Sequence, residues 1–221
     1  MKLVLTSGGI SNKSIENELR NIIGKDFKDL KLLFCTTASN YEGGDMNEWL
    51  IEDLITLRNL GFIIDVCDIN GASKENLLSR FKWADVFYFE GGNTQWLSKC
   101  IKTTGLENHL RELLEARVWI GASAGSIVLC PTIYNSSQDL FDEYIEYGPK
   151  EGLGFVDFQF VPHLNNEYFP KIRKENLVNS SKNLEKIDGK KLYALDDNSA
   201  IFINGKDIKV VSEGEWFEIL N

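Results

Sequence analysis

Short, uninterrupted apolar runs alternate with amphipathic stretches over the first two thirds of the chain, and no other feature limits the possible folds as strongly. Apart from Thr6 and Asp65, the runs at 3–6, 32–35, 62–67, 86–89 and 118–120 are apolar at consecutive positions, as strands covered on both faces must be. Between them Ile15, Leu19, Ile22 and Ile23 recur at helical spacing, as do Leu50, Leu54 and Leu57, which predicts one helix from about Ser14 and another over 46–60. Ser73 can cap a short helix over 73–81, and a longer helical stretch is expected over 94–116. Strand–helix alternation of this kind implies right-handed crossovers. The expected architecture is therefore α/β, a mostly parallel central sheet with helices on both faces, and ligands gather at the carboxyl ends of its strands.

The last third changes character. A strand over 158–161 and a helix over 169–179 precede short apolar runs at 191–194, 200–203, 208–211 and 216–219, with Asn204-Gly205 as a hairpin signal. These runs read as antiparallel strands at the C-terminal edge. Residues 1–221 contain no repeat, low-complexity tract or Pro/Gly/Ser-rich linker, so they read as one domain.

Composition excludes several classes of function. With 24 Lys+Arg against 33 Asp+Glu, a net charge of −9, the chain lacks the basic footprint of a nucleic-acid or anionic-membrane binder. No apolar run approaches the roughly 18 residues of a membrane span, and the N-terminal run is too short for a signal peptide, so a cytoplasmic protein is expected. The four cysteines, Cys35, Cys67, Cys100 and Cys130, form no C-x-x-C pair and read as buried small hydrophobes. Neither glycine cluster near a strand end matches a dinucleotide or P-loop fingerprint, and the two histidines lie far apart. No cofactor and no metal is expected.

The segment Val118-Trp119-Ile120-Gly121-Ala122-Ser123-Ala124-Gly125-Ser126 runs from an expected strand through G-x-S-x-G into a helix start. A serine nucleophile on a sharp strand-to-helix turn needs that order, because the flanking glycines let the two backbones approach closely. The N–H of Ala124, the next residue, would then face a developing oxyanion. The serine must give its proton to a positioned base, and His109 and His163 are the two imidazoles available. His109 lies on a stretch whose apolar face is Leu106, Leu110, Leu113 and Leu114, where a solvated helix position accounts for it. His163 follows an apolar run and opens a polar loop, the usual place of an active-site loop in an open α/β sheet, and is the preferred base. Asp196-Asp197 closes another short run and can hold the other ring nitrogen, although adjacent acids also form turns; Asp139 and Asp142 are rivals. The cluster Glu90-Gly91-Gly92-Asn93-Thr94 again closes a strand and opens a helix. It can supply a second oxyanion N–H, bind an anion, or form a turn with Asn93 as N-cap.

Taken in chain order, Gly91-Gly92-Asn93, Gly121-Ala122-Ser123-Ala124-Gly125 with Cys130-Pro131-Thr132-Ile133 behind it, Pro162-His163 and Leu195-Asp196-Asp197 resemble the peptidase E (α-aspartyl dipeptidase) family and its relative cyanophycinase. The resemblance implies a class I glutamine amidotransferase-like fold, a three-layer sandwich, with serine in place of the amidotransferase cysteine. It implies Ser123 as nucleophile, His163 as base and Asp197 at the third position, which in the family is commonly glutamate. Gly92 and Ala124 then match the oxyanion region, with Gly91 and Asn93 beside the substrate. The family grips a substrate aspartate through a glycine-rich, arginine-bearing segment after its histidine. This chain has Asn165-Asn166-Glu167-Tyr168-Phe169-Pro170-Lys171-Ile172-Arg173 there, which makes Arg173 the candidate. An aspartate that the family carries after C-P-T-I is matched by Asp139, one residue out of register.

The expected activity is that of a serine-type peptidase or dipeptidase acting on small peptides, with N-terminal aspartate as a candidate preference, through a Ser-His-Asp triad and an acyl-enzyme. Two other readings stand beside it. An α/β-hydrolase-type esterase would follow the order Ser, acid, His and use Asp139 or Asp142; an inactive amidotransferase-like binding module would keep the turn as scaffold. The expected partner is a small peptide substrate, and both a monomer and a homodimer are open.

Overall fold

Each apolar run of the first two thirds forms a strand in the computed structural model, which describes residues 1–42, 48–133, 140–143, 148, 150–181 and 191–220. The chain begins β1 (Lys2–Thr6), α1 (Lys13–Ile23), β2 (Lys31–Cys35), α2 (Thr37–Glu42), α3 (Glu48–Leu60) and β3 (Ile63–Cys67). It continues through α4 (Lys74–Trp83), β4 (Val86–Phe89), α5 (Thr94–Thr103), α6 (Glu107–Leu113), β5 (Val118–Ala122) and α7 (Ala124–Ile127). The last third supplies β6 (Gln159–Val161), α8 (Lys174–Ser181), β7 (Lys191–Leu195), β8 (Ser199–Asn204), β9 (Asp207–Ser212) and β10 (Trp216–Leu220).

Among the described residues the main sheet has the order β3-β2-β4-β5-β1-β8-β9. Its first five strands are parallel, and β8 and β9 add antiparallel to the β1 edge. Both faces are covered. Leu3, Leu5, Phe87, Phe89 and Trp119 pack on one face with α5 and α6, while Val4, Phe34, Tyr88 and Ile120 pack on the other with α1 and α3. Alternation along strands buried on both sides is why the apolar runs were continuous. Local chemistry sets the helix ends: Asn12 accepts the Ile15 N–H at 3.0 Å to open α1, and Gly24 closes it with a left-handed φ of 71°.

The structure corrects four expectations. The helix over 94–116 is two helices, because Gly105 adopts φ 72° and the Thr104 hydroxyl turns back onto the Cys100 carbonyl at 2.7 Å. The helix expected from 169 begins only at Lys174, and the residues before it are spent on a loop that bonds to itself. The C-terminal strands do not form one edge: β7 and β10 leave the main sheet and pair with β6 in the order β10-β7-β6. The β8–β9 turn lies one residue beyond its signal, at Gly205-Lys206, since Asn204 remains in the ladder opposite both Lys2 and Asp207.

All four cysteines are buried. Burial pushes the Cys35 and Cys130 thiols up to about 12, as expected of small core hydrophobes. Among the described residues no helix is long and apolar enough to cross a membrane.

Candidate active site

Ser123 occupies a backbone conformation that side chains rarely adopt, with φ 45° and ψ −105°. Such a conformation costs about 1–3 kcal/mol and persists only where neighbours over-determine it. Here the Ser123 N–H donates to the Thr6 carbonyl at 3.1 Å, and its own carbonyl accepts from Ser126 and Ile127, each at 2.9 Å. The two glycines are demanded by space. A Cβ on Gly121 would stand 2.3 Å from the Gly125 carbonyl oxygen, and one on Gly125 would stand 2.0 Å from that of Phe89. Either side chain would push α7 off the ends of β4 and β5 and relax the turn that presents Ser123.

His163 and Asp197 reach Ser123 from the small sheet. Parallel pairing aligns Val161 of β6 with Ala194 of β7, so the segments that follow both strands emerge side by side. His163 Nε2 lies 2.9 Å from Ser123 Oγ, and its Nδ1 lies 2.6 Å from Asp197 Oδ1. His163 itself has φ 62°, and its N–H donates to Ser7 Oγ at 2.7 Å. Ser7 Oγ in turn donates to Asp197 Oδ1 at 2.8 Å, and the Asn166 amide donates to Asp197 Oδ2 at 2.6 Å. Burial works against the Asp197 carboxylate, but the His163 ring, the Asn166 amide and the Ser7 hydroxyl outweigh it and hold the group down at about 2. Phe169 stacks on the imidazole with ring centroids 4.4 Å apart.

The other sequence candidates fall into different places. Gly91 faces the serine, since a Cβ there would meet Ser123 Cβ at 3.5 Å. Gly92 has φ 120° and lies against α2, where a Cβ would come within 2.5 Å of the Ala38 backbone. The N–H groups of Gly92 and Ala124 have no acceptor among the described residues. Asn93 caps α5, accepting the Trp96 N–H at 2.8 Å. Asp196 is a turn former whose carboxylate accepts from Asn198, Ser199 and Glu215, while Asp197 alone of the pair contacts His163. Asp142 pairs with Lys171 and so stands apart from the imidazole; Asp139 lies outside the described residues. Arg173 directs Nη1 at the carbonyls of Asn166, Phe169 and Ile172, where it braces the loop after His163. His109 lies on α6, away from these groups.

A second group of carboxyls precedes the glycine cluster that faces the serine. Glu90 is 1% exposed and neither of its oxygens accepts a hydrogen bond of good geometry. Burial first, and then the neighbouring Asp53, push its carboxyl well above the usual range; the Trp49 and Gly91 N–H groups offset this only in part. Asp53 accepts a short hydrogen bond from the Tyr88 hydroxyl, yet burial raises it to about 7.

Sequence reasoning missed Ser7, Asn166 and Phe169. Ser7-Gly8-Gly9 stands at the carboxyl end of β1, which was a usable signal once that strand is central. A Cβ on Gly8 would sit 3.0 Å from Asp197 Cβ, so this loop packs directly on the acid. Nothing local in Asn166 indicates that it meets Asp197 from another strand end, and nothing local in Phe169 indicates that it folds back onto His163 of its own loop.

The model of Peptidase family S51 matches residues 3–211 of this chain. An uncharacterized peptidase of Listeria monocytogenes is 28% identical over 196 residues, covering 82% of this chain and 93% of its own. A peptidase E of Nostoc is 29% identical over 155 residues, covering 69% of this chain and 59% of its own. Among solved structures, a Listeria monocytogenes protein assigned to peptidase E superposes with a TM-score of 0.79 over 96% of this chain and 98% of its own, at 24% identity. A peptidase from an acI-B1 actinobacterium gives 0.68 over 99% of this chain and 93% of its own, at 18% identity. These two likenesses support the fold. The match across nearly the whole chain supports the chemistry as well: the chain belongs to peptidase family S51 and is a serine-type peptidase.

Proposed function

We propose that the chain hydrolyses short peptides by attack of Ser123 Oγ on the amide carbonyl, with His163 as the base and Asp197 as the group that orients it. The observation that carries this reading is the continuous chain of contacts, 2.6 Å from Asp197 to Nδ1 and 2.9 Å from Nε2 to Ser123 Oγ. His163 takes the serine proton as the C–O bond forms. It then returns that proton to the leaving nitrogen as the C–N bond breaks, and a water repeats the cycle on the acyl-enzyme. The N–H groups of Gly92 and Ala124, without an acceptor among the described residues, stabilise the oxyanion; loss of one such donor typically costs about 3 kcal/mol of transition-state stabilisation. Both histidine nitrogens have partners consistent with these roles, whereas the esterase reading needs Asp142 or Asp139 in place of Asp197.

Preference for N-terminal aspartate needs a cation facing the substrate. Arg173 commits Nη1 to three loop carbonyls, which favours a small-peptide hydrolase over a strict aspartyl enzyme. The test is hydrolysis of a panel including Asp-Leu and Ala-Leu by wild type and Ser123→Ala. A fall of about 10^4-fold or more is expected in the variant for every peptide cleaved. Turnover retained in Ser123→Ala would overturn the mechanism.

A further inference from the structure

The loop from His163 to Arg173 is bonded to itself. The Asn166 N–H donates to the His163 carbonyl at 3.1 Å, Phe169 to Asn166 at 3.2 Å, Ile172 to Phe169 at 3.0 Å, and Asn165 to Ile172 at 3.0 Å. Arg173 adds its three bonds to the same carbonyl set, and Lys171 pairs with Asp142. Both basic side chains of the loop are therefore engaged in holding its shape. What the loop sets against the imidazole is aromatic, among exposed neighbours that include Asn165, Glu167 and Lys171. Phe169 lies flat on His163, and Phe141 stands edge-on to both rings, with centroids 6.1 Å from His163 and 5.4 Å from Phe169. Phe141 is pinned on its C-terminal side, where Asp142 meets Lys171 and Glu143 accepts the Thr94 N–H at 2.7 Å. Tyr168, next to Phe169, is 81% exposed. Its ring stacks on no other among the described residues and is open to a ligand that covers it.

The direction of proton transfer says what covers it. His163 Nε2 delivers a proton to the leaving nitrogen, so the amino acid carried by that nitrogen must lie against the walls on the imidazole side of the site. We propose that Phe141, Tyr168 and Phe169 form the subsite for the residue on the carboxyl side of the cleaved bond. Peptides in which that residue is apolar, aromatic above all, are then the preferred substrates. This rests on the proposed roles of Ser123 and His163 and goes beyond them in naming the substrate class. Apolar contact in a preformed pocket discriminates by about 10- to 200-fold for groups of one or a few carbons.

The experiment has two arms. In the first, kcat/KM is measured for Ala-Phe, Ala-Leu, Ala-Asp and Ala-Gly with wild type, Tyr168→Ala and Phe141→Ala. In the second, binding of phenylalaninamide and glycinamide to the same three proteins is measured by calorimetry. The expected result is a kcat/KM for Ala-Phe at least about tenfold above Ala-Gly, a ratio that falls in both variants, and tighter binding of phenylalaninamide that falls with it. Equal kcat/KM for Ala-Phe and Ala-Gly, a ratio that both variants leave intact, or no selective binding of phenylalaninamide would overturn the subsite. Selective binding that the variants abolish, in a protein that cleaves none of the peptides, supports the subsite and removes the proposed function, so the two failures are told apart.

Discussion

Two carboxyl groups, one against His163 and one on the residue before Gly91, are driven in opposite directions. Asp197 accepts from His163, Ser7 and Asn166 and is held down at about 2, whereas Glu90, one residue before the glycine that faces the serine, accepts no well-formed bond and is pushed well above the usual range. Burial opposes the charged form in both cases, so burial does not explain the difference. Donors do: the ends of β1, β6 and β7 converge on Asp197 with three donating groups, while the face of β4 that carries Glu90 brings a second carboxyl, Asp53. At Asp197 the donors favour the charged form; at Glu90 burial and a second carboxyl disfavour it.

The comparison is open to attack at both ends. Removing the charge is expected to have the largest effect: Asp197→Asn leaves the shape of the site but loses the preference for the correct imidazole tautomer, and kcat should fall by about 10^3- to 10^4-fold. A change below tenfold would mean that Ser7 and Asn166 surround a spectator. Removing one donor is milder. Asn166→Ala leaves His163 and Ser7 on the carboxylate, and kcat should fall by roughly tenfold, the order of one charge-assisted hydrogen bond of about 1.5 kcal/mol.

The smallest effect is on stability and has opposite signs for the two groups. For Asp197, held at about 2 against an ordinary 3.8, the stabilisation is present above the ordinary value and is lost as pH falls through about 2. For Asp53 and Glu90 the folded values are raised, so their contribution is full below the ordinary carboxylate range; it is lost as pH rises, through about 7 in the case of Asp53. Glu90→Gln should therefore raise the melting temperature at pH 8 by about 2–4 °C, the equivalent of about 1 kcal/mol in a chain of this size. It should leave the melting temperature nearly unchanged at pH 3.5. A rise of equal size at both pH values would show that the substitution acts through packing and that Glu90 is not a proton-holding group.

How far the site was legible depends on the range of the interaction that makes it. Gly121 could be read because the close approach it permits is to Gly125, four residues on; the approach of Gly125 itself is to Phe89 of β4, which only the sheet brings near. His163 was legible by elimination among two imidazoles and by its place after a strand. The residues alone left Asp196 and Asp197 open and only the family resemblance singled out Asp197, because adjacent residues in a turn point to different neighbours and the contact follows from where β10 and the β1 loop lie. Arg173 illustrates the converse. A cation at the expected distance from the histidine suggested substrate binding, but its partners are carbonyls of the loop that precedes it.

From its order of residues alone this chain determined a parallel α/β sheet, a serine on a glycine-flanked turn and a histidine at a strand end. Those features arise from periodicity and from steric limits that act over a few residues. Only the tertiary structure brought Asp197 against that histidine, set Glu90 beside Asp53 in a buried place, and turned Arg173 Nη1 onto the carbonyls of its own loop. The first of these is set by strand ends that lie far apart in the chain and are brought together by pairing in two separate sheets.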